Sequence, residues 1–435
     1  MLLYPYKYCK SISINIAKHP LSGYADGVHY RKRIVEAELA RRLASTGAVV
    51  LEGPKACGKT ATARRAAASE VLLDVDPAAR QALAVDPALV LEGKTPQLID
   101  EWQTVPAVWN HIRRAVDARG EPGQFILTGS AVPPDDITRH GGAGRLTRLK
   151  MRPMSLYESG HSAGTVSLAA LLDGAPPRCP DPGLTVADIA ERVAVGGWPA
   201  LLSRGLEGSL QAVRDYLGEV GRVDIGRLGR RRRDPEKVGR FLRALARSTA
   251  TYVTTKTLAA DAGGEAGALK EATAHEYISA LERLMIVEDQ PPWAPHLRSK
   301  SRVRGAVKRH FIDPSLAVAA LRATPQRLLK EIEFLGFLFE SLVIRDLRVY
   351  AQAGDAAVLQ YRDNTGLEVD AVVETADGGA TWLANDVRLD TDAGGSAQSE
   401  DVDLAIVGNR VYAVWMDERD GDRHVYFNYS EDYGE

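Results

Sequence analysis

Gly53-Pro54-Lys55-Ala56-Cys57-Gly58-Lys59-Thr60 fits the pattern G-x-x-x-x-G-K-[ST], the P-loop. The apolar run Ala48-Val49-Val50-Leu51 precedes it, and the alanine-rich stretch Ala61 to Ala68, with Arg64 and Arg65, follows. Strand, glycine loop and strong helix former are the surroundings the motif needs. Gly53 and Gly58 let the backbone turn and approach phosphate without a Cβ clash. The backbone N–H groups from Gly53 through Pro54, Lys55, Ala56, Cys57 and Gly58 (proline excepted), together with the helix N-terminus, are then expected to face an anion. Lys59 is expected to reach the β- and γ-phosphates of ATP, and Thr60 to hold Mg²⁺.

Outward from this loop, residues 30–45 read as a helix, with Ile34, Leu39 and Leu43 at near-helical spacing. Val71-Leu72-Leu73 is a second short strand, closed by Asp74 and the Asp76-Pro77 turn signal. Gln97-Leu98-Ile99-Asp100-Glu101 is a third, with two acids at its end. Phe125-Ile126-Leu127-Thr128-Gly129-Ser130 is a fourth, ending in hydroxyls, and Leu146 to Met151 is a fifth. Strands alternating with helical stretches predict a parallel sheet covered on both faces. Ligands of such sheets sit at the C-terminal strand ends, where Thr60, Asp100, Glu101 and Ser130 all map. Asp100 is the candidate metal acid, beside Thr60. Glu101 is placed to orient or deprotonate an attacking water. Thr128 or Ser130 is a candidate γ-phosphate sensor. Arg145 is a candidate to add positive charge to the transition state, in cis or from a neighbouring subunit.

The chain has 435 residues, long for one core, and 26% are charged. The net charge of −2 hides a split. From Thr375 to Glu435 there are 14 acids and 4 basic residues; the rest holds 51 basic and 43 acidic residues. A basic body able to meet nucleic acid is joined to an acidic piece. Three cysteines, Cys9, Cys57 and Cys179, argue against a disulfide framework and for a reducing, cytoplasmic setting. No run approaches about 18 apolar residues, so no membrane span is expected. Residues 1–29 show no period and stay unassigned.

The order GPKACGKT, LIDE, FILTGSA, GAGR and MRPMSLYE resembles a bacterial and archaeal family of AAA-type ATPases with a C-terminal domain of unknown function. GGWPA (Gly196 to Ala200), Trp293 and FIDPSLA (Phe311 to Ala317) extend the resemblance over roughly residues 30–374. It implies an AAA+ ATPase module over 30–155, a winged-helix-like module, and a domain similar to restriction-endonuclease folds. Between them, 156–234 is expected to be mostly helical, with Trp198 a packing residue.

Arg222 to Arg247 holds ten basic residues and three acids, including Arg230-Arg231-Arg232-Arg233, a candidate phosphate contact. Over 235–322, three helices, a strand, a basic loop and a strand follow in winged-helix order. The third helix would be the recognition element, with Thr273, His275, Glu276 and Ser279 facing the groove. The loop Arg298 to Arg309, with Arg298, Lys300, Arg302, Arg304, Lys308 and Arg309, would contact the backbone of duplex DNA. Glu271, Glu276 and Glu282 oppose that reading, because they repel phosphate.

Residues 323–374 are expected to hold a truncated nuclease-like domain. Its long helix, 331–350, has Phe334, Phe337, Leu338, Leu342 and Leu347 as its apolar set. Glu340 and Asp370 match two places of the metal cluster that the resemblance implies. The Glu-x-Lys pair is missing, and no lysine follows Lys330, so no nuclease activity is expected. Thr375-Ala376-Asp377-Gly378-Gly379-Ala380-Thr381-Trp382 instead resembles the Asp-box of sialidase-type propellers, and Ser430 to Glu435 starts the same pattern. Residues 375–435 then read as one all-β propeller blade of three strands, too little to close a propeller. The acidic shift, the missing pair and the Asp-box all begin near 375, which marks a junction between two kinds of chain.

The expected whole is an α/β P-loop sheet followed by a mainly helical region, a truncated α/β unit and a short β tail. Its expected activity is Mg-ATP hydrolysis, with a homo-oligomer and duplex DNA as further partners. The alternatives are an ATP-switched DNA-binding regulator, or a chimeric product in which only the nucleotide domain is intact.

Overall fold

The computed structural model describes residues 30–129, 141–172, 183–225, 234–264, 267–294, 306–362, 368–375, 399–407, 410–417 and 424–430. The chain divides into two compact units, Met1–Arg31 and Lys32–Glu435. Only Tyr30 and Arg31 of the first are described, and the elements below belong to the second.

The first ten are α1 (Val35–Leu43), β1 (Ala48–Glu52), α2 (Lys59–Ala66), β2 (Ser69–Leu72), α3 (Pro77–Val85), α4 (Ala88–Leu91), β3 (Gln97–Asp100), α5 (Val108–Arg119), β4 (Phe125–Gly129) and β5 (Leu146–Lys150). The strands form one sheet in the order β2-β3-β4-β1-β5, with every pair parallel. Side chains alternate across the pleat, so β1 feeds two cores. Val49 and Leu51 pack with Leu39, Ala63 and Met151 on one face. Val50 packs with Trp109, Ile112 and Val116 on the other. A sheet covered on both faces explains why β1 and β4 read as unbroken apolar runs. Because β4 lies between β1 and β3, Thr128 at its end stands between the glycine loop and Asp100. The Asp76-Pro77 turn signal starts α3: the Asp76 carboxylate accepts from the N–H groups of Ala78 and Ala79.

After the sheet come α6 (Leu168–Leu172), α7 (Val186–Val195), α8 (Leu206–Glu219) with a π-helical turn over Val220–Asp224, α9 (Pro235–Arg247), α10 (Thr255–Asp261) and α11 (Glu271–Arg283). Then follow β6 (Val287–Gln290), β7 (Lys308–Phe311), α12 (Pro314–Ala320), α13 (Pro325–Leu328), α14 (Ile332–Ala353), β8 (Ala357–Arg362) and β9 (Glu368–Glu374). β6 and β7 pair antiparallel, as do β8 and β9. One continuous core runs from Ala190 in α7 to Leu342 in α14 and includes Phe241, Tyr277, Leu281 and Phe311. α9 is the most plainly amphipathic contributor: Val238, Phe241, Leu242 and Leu245 are buried at i, i+3, i+4 and i+7.

The long helix α14 departs from the expected apolar set. Leu338 and Leu342 are buried, yet Phe337 is 41% exposed. The buried stripe runs Leu335, Leu338, Leu342, Arg345 and Val349, and two of its neighbours are the charged Asp346 and Arg348. The centre of that stripe lies about 120° around the helix from Phe337, and the ionic groups buried along it are not revealed by hydrophobicity alone.

β10 (Ser399–Val407), β11 (Arg410–Asp417) and β12 (His424–Ser430) form a three-stranded antiparallel sheet. The Asp-box pattern beyond Thr375, and its partial copy beyond Ser430, lie outside the described residues.

Candidate functional site

The glycine loop joins the end of β1 to α2, and its shape follows from its two glycines. A Cβ on Gly53 would lie 2.3 Å from the Met151 carbonyl oxygen, so no other residue fits there without moving β5's continuation. Gly58 caps α2 with φ +102°, a left-handed conformation that favours glycine. The Lys59 ammonium turns back on its own loop and donates to the carbonyls of Gly53, at 2.9 Å, and Pro54, at 2.8 Å.

Across the sheet edge, the Thr60 hydroxyl donates to Asp100 Oδ1 at 2.9 Å. The Thr128 hydroxyl donates to the same oxygen. Asp100 is buried, so these hydroxyls satisfy a carboxylate that water scarcely reaches. Glu101, the next residue, adopts φ +51° and ψ +43°. A left-handed non-glycine residue costs free energy and persists where surrounding structure holds it. Here Thr104 Oγ1 donates to the Glu101 carbonyl at 2.8 Å, and the Gln103 amide donates to Glu101 Oε2.

Residues far off in sequence clasp the loop. Arg33 Nη1 donates to the Cys57 carbonyl and Nη2 to the Arg152 carbonyl, both at 2.8 Å. Arg33 also pairs with Glu158 at 3.1 Å, both side chains being buried. Lys55 forms an ion pair of 2.5 Å with Asp224 at the end of the π-helical turn. Pro199 Cγ, Arg33 Nη1 and Met151 Cε would each stand 3.6 Å from a Cβ on Gly58. Tyr216 lies near the loop as well; burial, with Cys57 and Asp224 beside it, raises its hydroxyl pKa above the usual value.

The other quoted strings meet behind this loop. The Gly197 N–H donates to Asp313 Oδ2 at 2.9 Å, and Trp198 Nε1 donates to Ser315 Oγ at 3.0 Å. The Met154 N–H donates to the Gly197 carbonyl at 2.7 Å. Arg345 on α14 donates to Asp313 at 2.8 Å and pairs with Asp346 at 2.6 Å, and Asp346 in turn accepts from the Leu156 N–H at 2.8 Å. Asp346 and Asp313 hold Arg345 charged against a burial that would lower its pKa. Trp198 is buried and packs on Tyr216 with ring centroids 4.9 Å apart.

One expected participant, Arg145, stands apart from this group. Arg145 precedes β5 at the opposite, N-terminal edge of the sheet, on the order of 20 Å along the strands from the loop. It pairs there with Asp117 at 2.7 Å, so it does not reach the loop of its own chain. The Lys55 side chain, within the loop, points at Asp224. Ser130 lies outside the described residues, as do Arg230 to Arg233 and residues 295–305 of the expected wing. The two described cations of that loop need correction. Lys308 and Arg309 are buried strand residues, not solvated wing residues. Arg309 is held by both carboxylate oxygens of Asp289, at 2.7 and 2.9 Å. Lys308 lies among Glu340, Glu368 and Asp370. On α11, His275, Glu276 and Ser279 are exposed and Thr273 is half-buried.

Residues 45–160 match the model of the AAA domain, and residues 186–327 match DUF8612, a domain of unknown function. Uncharacterized proteins of Mycobacterium bovis and Mycobacterium tuberculosis are each 25% identical over 352 residues, which is 79% of this chain and 71% of theirs. A solved structure of Drosophila ORC bound to DNA aligns with 74% of this chain and 97% of that one, at 13% identity. Its TM-score of 0.20 is too low for that likeness to carry an argument. The AAA match, the all-parallel five-stranded sheet and the glycine loop support an AAA-type P-loop ATPase in this part of the chain. Among the described residues no helix is long and apolar enough to cross a membrane.

Proposed function

We propose that residues 45–160 bind Mg-ATP and hydrolyse it. The observation that carries this reading is the Thr60–Asp100–Thr128 junction at the mouth of the glycine loop, with Lys59 parked on two neutral carbonyls. A hydroxyl in the first turn of α2 and a carboxylate at the end of β3 offer the oxygen donors that suit Mg²⁺. Thr60 and Asp100 would hold the ion, which when bound would neutralise charge on the β- and γ-phosphate oxygens. The chain's own groups do the rest. Lys59 exchanges its carbonyls for phosphate oxygens. The N–H groups of the loop, from Gly53 to Thr60, cradle the phosphates. Thr128 fixes the orientation of Asp100. Glu101 orients or deprotonates the attacking water, and Gln103 sets the angle of its carboxylate. Ser130 senses the γ-phosphate. Arg145 acts only from a neighbouring subunit, in a homo-oligomer, because within one chain it lies at the wrong edge of the sheet.

The deciding experiment compares steady-state ATP turnover and nucleotide binding in wild type and Glu101→Gln. Binding is expected to persist while turnover falls by about 100-fold or more. Turnover equal to wild type would refute the role given to Glu101.

A second reading has a specific support. α9, α10 and α11 followed by the β6–β7 pair have the order of a winged-helix-like module, and α11 leaves His275 and Ser279 exposed. In that reading ATP switches a DNA-binding regulator whose phosphate contacts come from Arg230 to Arg233. DNA affinity should then fall steeply with salt, and replacing those four arginines by alanine should flatten the slope by about four units at most. No binding of duplex DNA at low salt removes this reading.

A further inference from the structure

Lys308 is the first residue of β7, opposite Gln290 of β6. A lysine at the start of a strand ordinarily sends its ammonium to water. This one does not: its side chain is 3% exposed. Its Nζ lies 3.2 Å from Glu340 Oε1 on α14, 2.5 Å from Glu368 Oε1 and 2.5 Å from Asp370 Oδ1 on β9. The Tyr252 ring stands with its centroid 5.4 Å from the same Nζ, adding a weaker cation–π contact. Three separate stretches of chain thus close around one charge. Neighbouring groups complete the balance: Arg362 lies over the Tyr252 ring, 4.8 Å from its centroid, and 3.9 Å from Glu368 Oε2. The wall behind is neutral and fully bonded. Gln290 Nε2 donates to the carbonyls of Leu359 and Asp370, and Gln290 Oε1 and Ser341 Oγ meet the two ring nitrogens of His310.

Three partly buried carboxylates within reach of one point repel one another and need a cation. Two sources are available to a protein: a bound metal ion or a side chain of its own. Among the described residues no cluster of three or more His, Cys, Asp or Glu is arranged to hold a metal ion. The Lys308 ammonium already fills the place between the three oxygens.

We propose that Lys308 is the built-in counter-cation of the Glu340–Glu368–Asp370 cluster, standing where an exogenous divalent ion would otherwise be required, and that it fastens the β6–β7 hairpin to α14 and β9 as a metal-independent joint. Because the lysine belongs to β7 and the acids to later elements, the joint links the region 186–327 to the α/β unit after it. The same ammonium is thereby withdrawn from any contact with DNA phosphate.

The test uses the full-length chain without nucleotide. Lys308→Met keeps the aliphatic stem and removes the charge. Its thermal transition should fall by roughly 5 °C or more at pH 8, and hydrogen exchange in β7 and β9 should quicken. Adding Glu340→Gln or Asp370→Asn to Lys308→Met should restore part of that loss, because fewer like charges then face one another. A loss through packing alone would not be restored this way. An unchanged transition in Lys308→Met overturns the proposal, as does a double variant no better than the single one. Should Lys308→Met fail to fold, the wild type decides by titration with MnCl₂ after chelation. Any shift in the transition is expected to be the same in wild type and Glu340→Gln. A Mn²⁺-dependent rise in wild type that Glu340→Gln abolishes overturns the proposal, because the acids would then hold metal.

Discussion

Two lysines in this chain lead opposite lives. Lys59 is held by the carbonyls of Gly53 and Pro54, which carry no net charge. Lys308 is held by Glu340, Glu368 and Asp370, which do. Both are buried, so neither is solvated in the usual way. An ammonium resting on neutral carbonyls gains when an anion arrives, because a charged acceptor binds it roughly twice as strongly as a neutral one. An ammonium already between carboxylates has nothing to gain from an anion and much to lose by leaving. Partner charge, rather than burial or residue type, separates a lysine poised for a ligand from one committed to the fold.

The sharpest way to break this comparison is at the first site. Glu101→Gln is expected to cost about 100-fold or more in turnover with nucleotide binding retained. That outcome would separate the proposed role of Glu101 in turnover from nucleotide binding at the loop.

A second expected effect lies at the other site and depends on pH. Burial first, and the Asp370 charge next, push Glu340 up to about 7 from an ordinary 4.5, with Lys308 pulling the other way. The folded state therefore holds this proton more tightly than the unfolded chain. The favourable contribution is complete below about pH 4.5 and is lost as pH rises through about 7. Wild type should lose stability across that window, and Glu340→Gln, neutral throughout, should lose less. Denaturant midpoints at pH 5 and pH 8 check this. Parallel pH profiles for the two proteins would contradict it.

The smallest effect concerns Lys55. Its pair with Asp224 leaves a carboxylate beside the glycine loop, and the lysine side chain is 43% exposed, which weakens the pair by screening. Asp224→Asn removes that negative charge and frees Lys55, so Mg-nucleotide should bind about threefold more tightly, as a modest change in a solvated field allows. Weaker binding in Asp224→Asn would show instead that the ion pair supports the cradle.

Much of the first site was legible because its cues are local. A glycine loop between a strand and a helix, and acids at a strand end, are short patterns with one physical purpose. The strand runs from Ala48, Gln97, Phe125 and Leu146 all correspond to strands of one parallel sheet. What the sequence hid is long-range. Nothing near Arg33 announces that it will bond the Cys57 carbonyl, and nothing near Asp224 announces Lys55. Arg145 illustrates the converse: a suggestive glycine-arginine string lands at the wrong edge because a parallel strand starts where its partner strands start. The sequence places Lys308 at the end of the basic loop expected to contact the backbone of duplex DNA. Its three acids arrive 32, 60 and 62 residues later, beyond any local signal. The resemblance places a Glu-x-Lys pair after Asp370, yet the lysine that meets those acids comes from an earlier strand.

The most direct test of the central claim is equilibrium binding of a fluorescent ATP analogue with Mg²⁺, measured for wild type and for Lys59→Ala. Saturable binding in wild type, weakened by about 100-fold or more when the ammonium is removed, is the predicted result. Equal affinity in the two proteins, or no binding in a folded wild type, would contradict the assignment of this loop as a phosphate cradle.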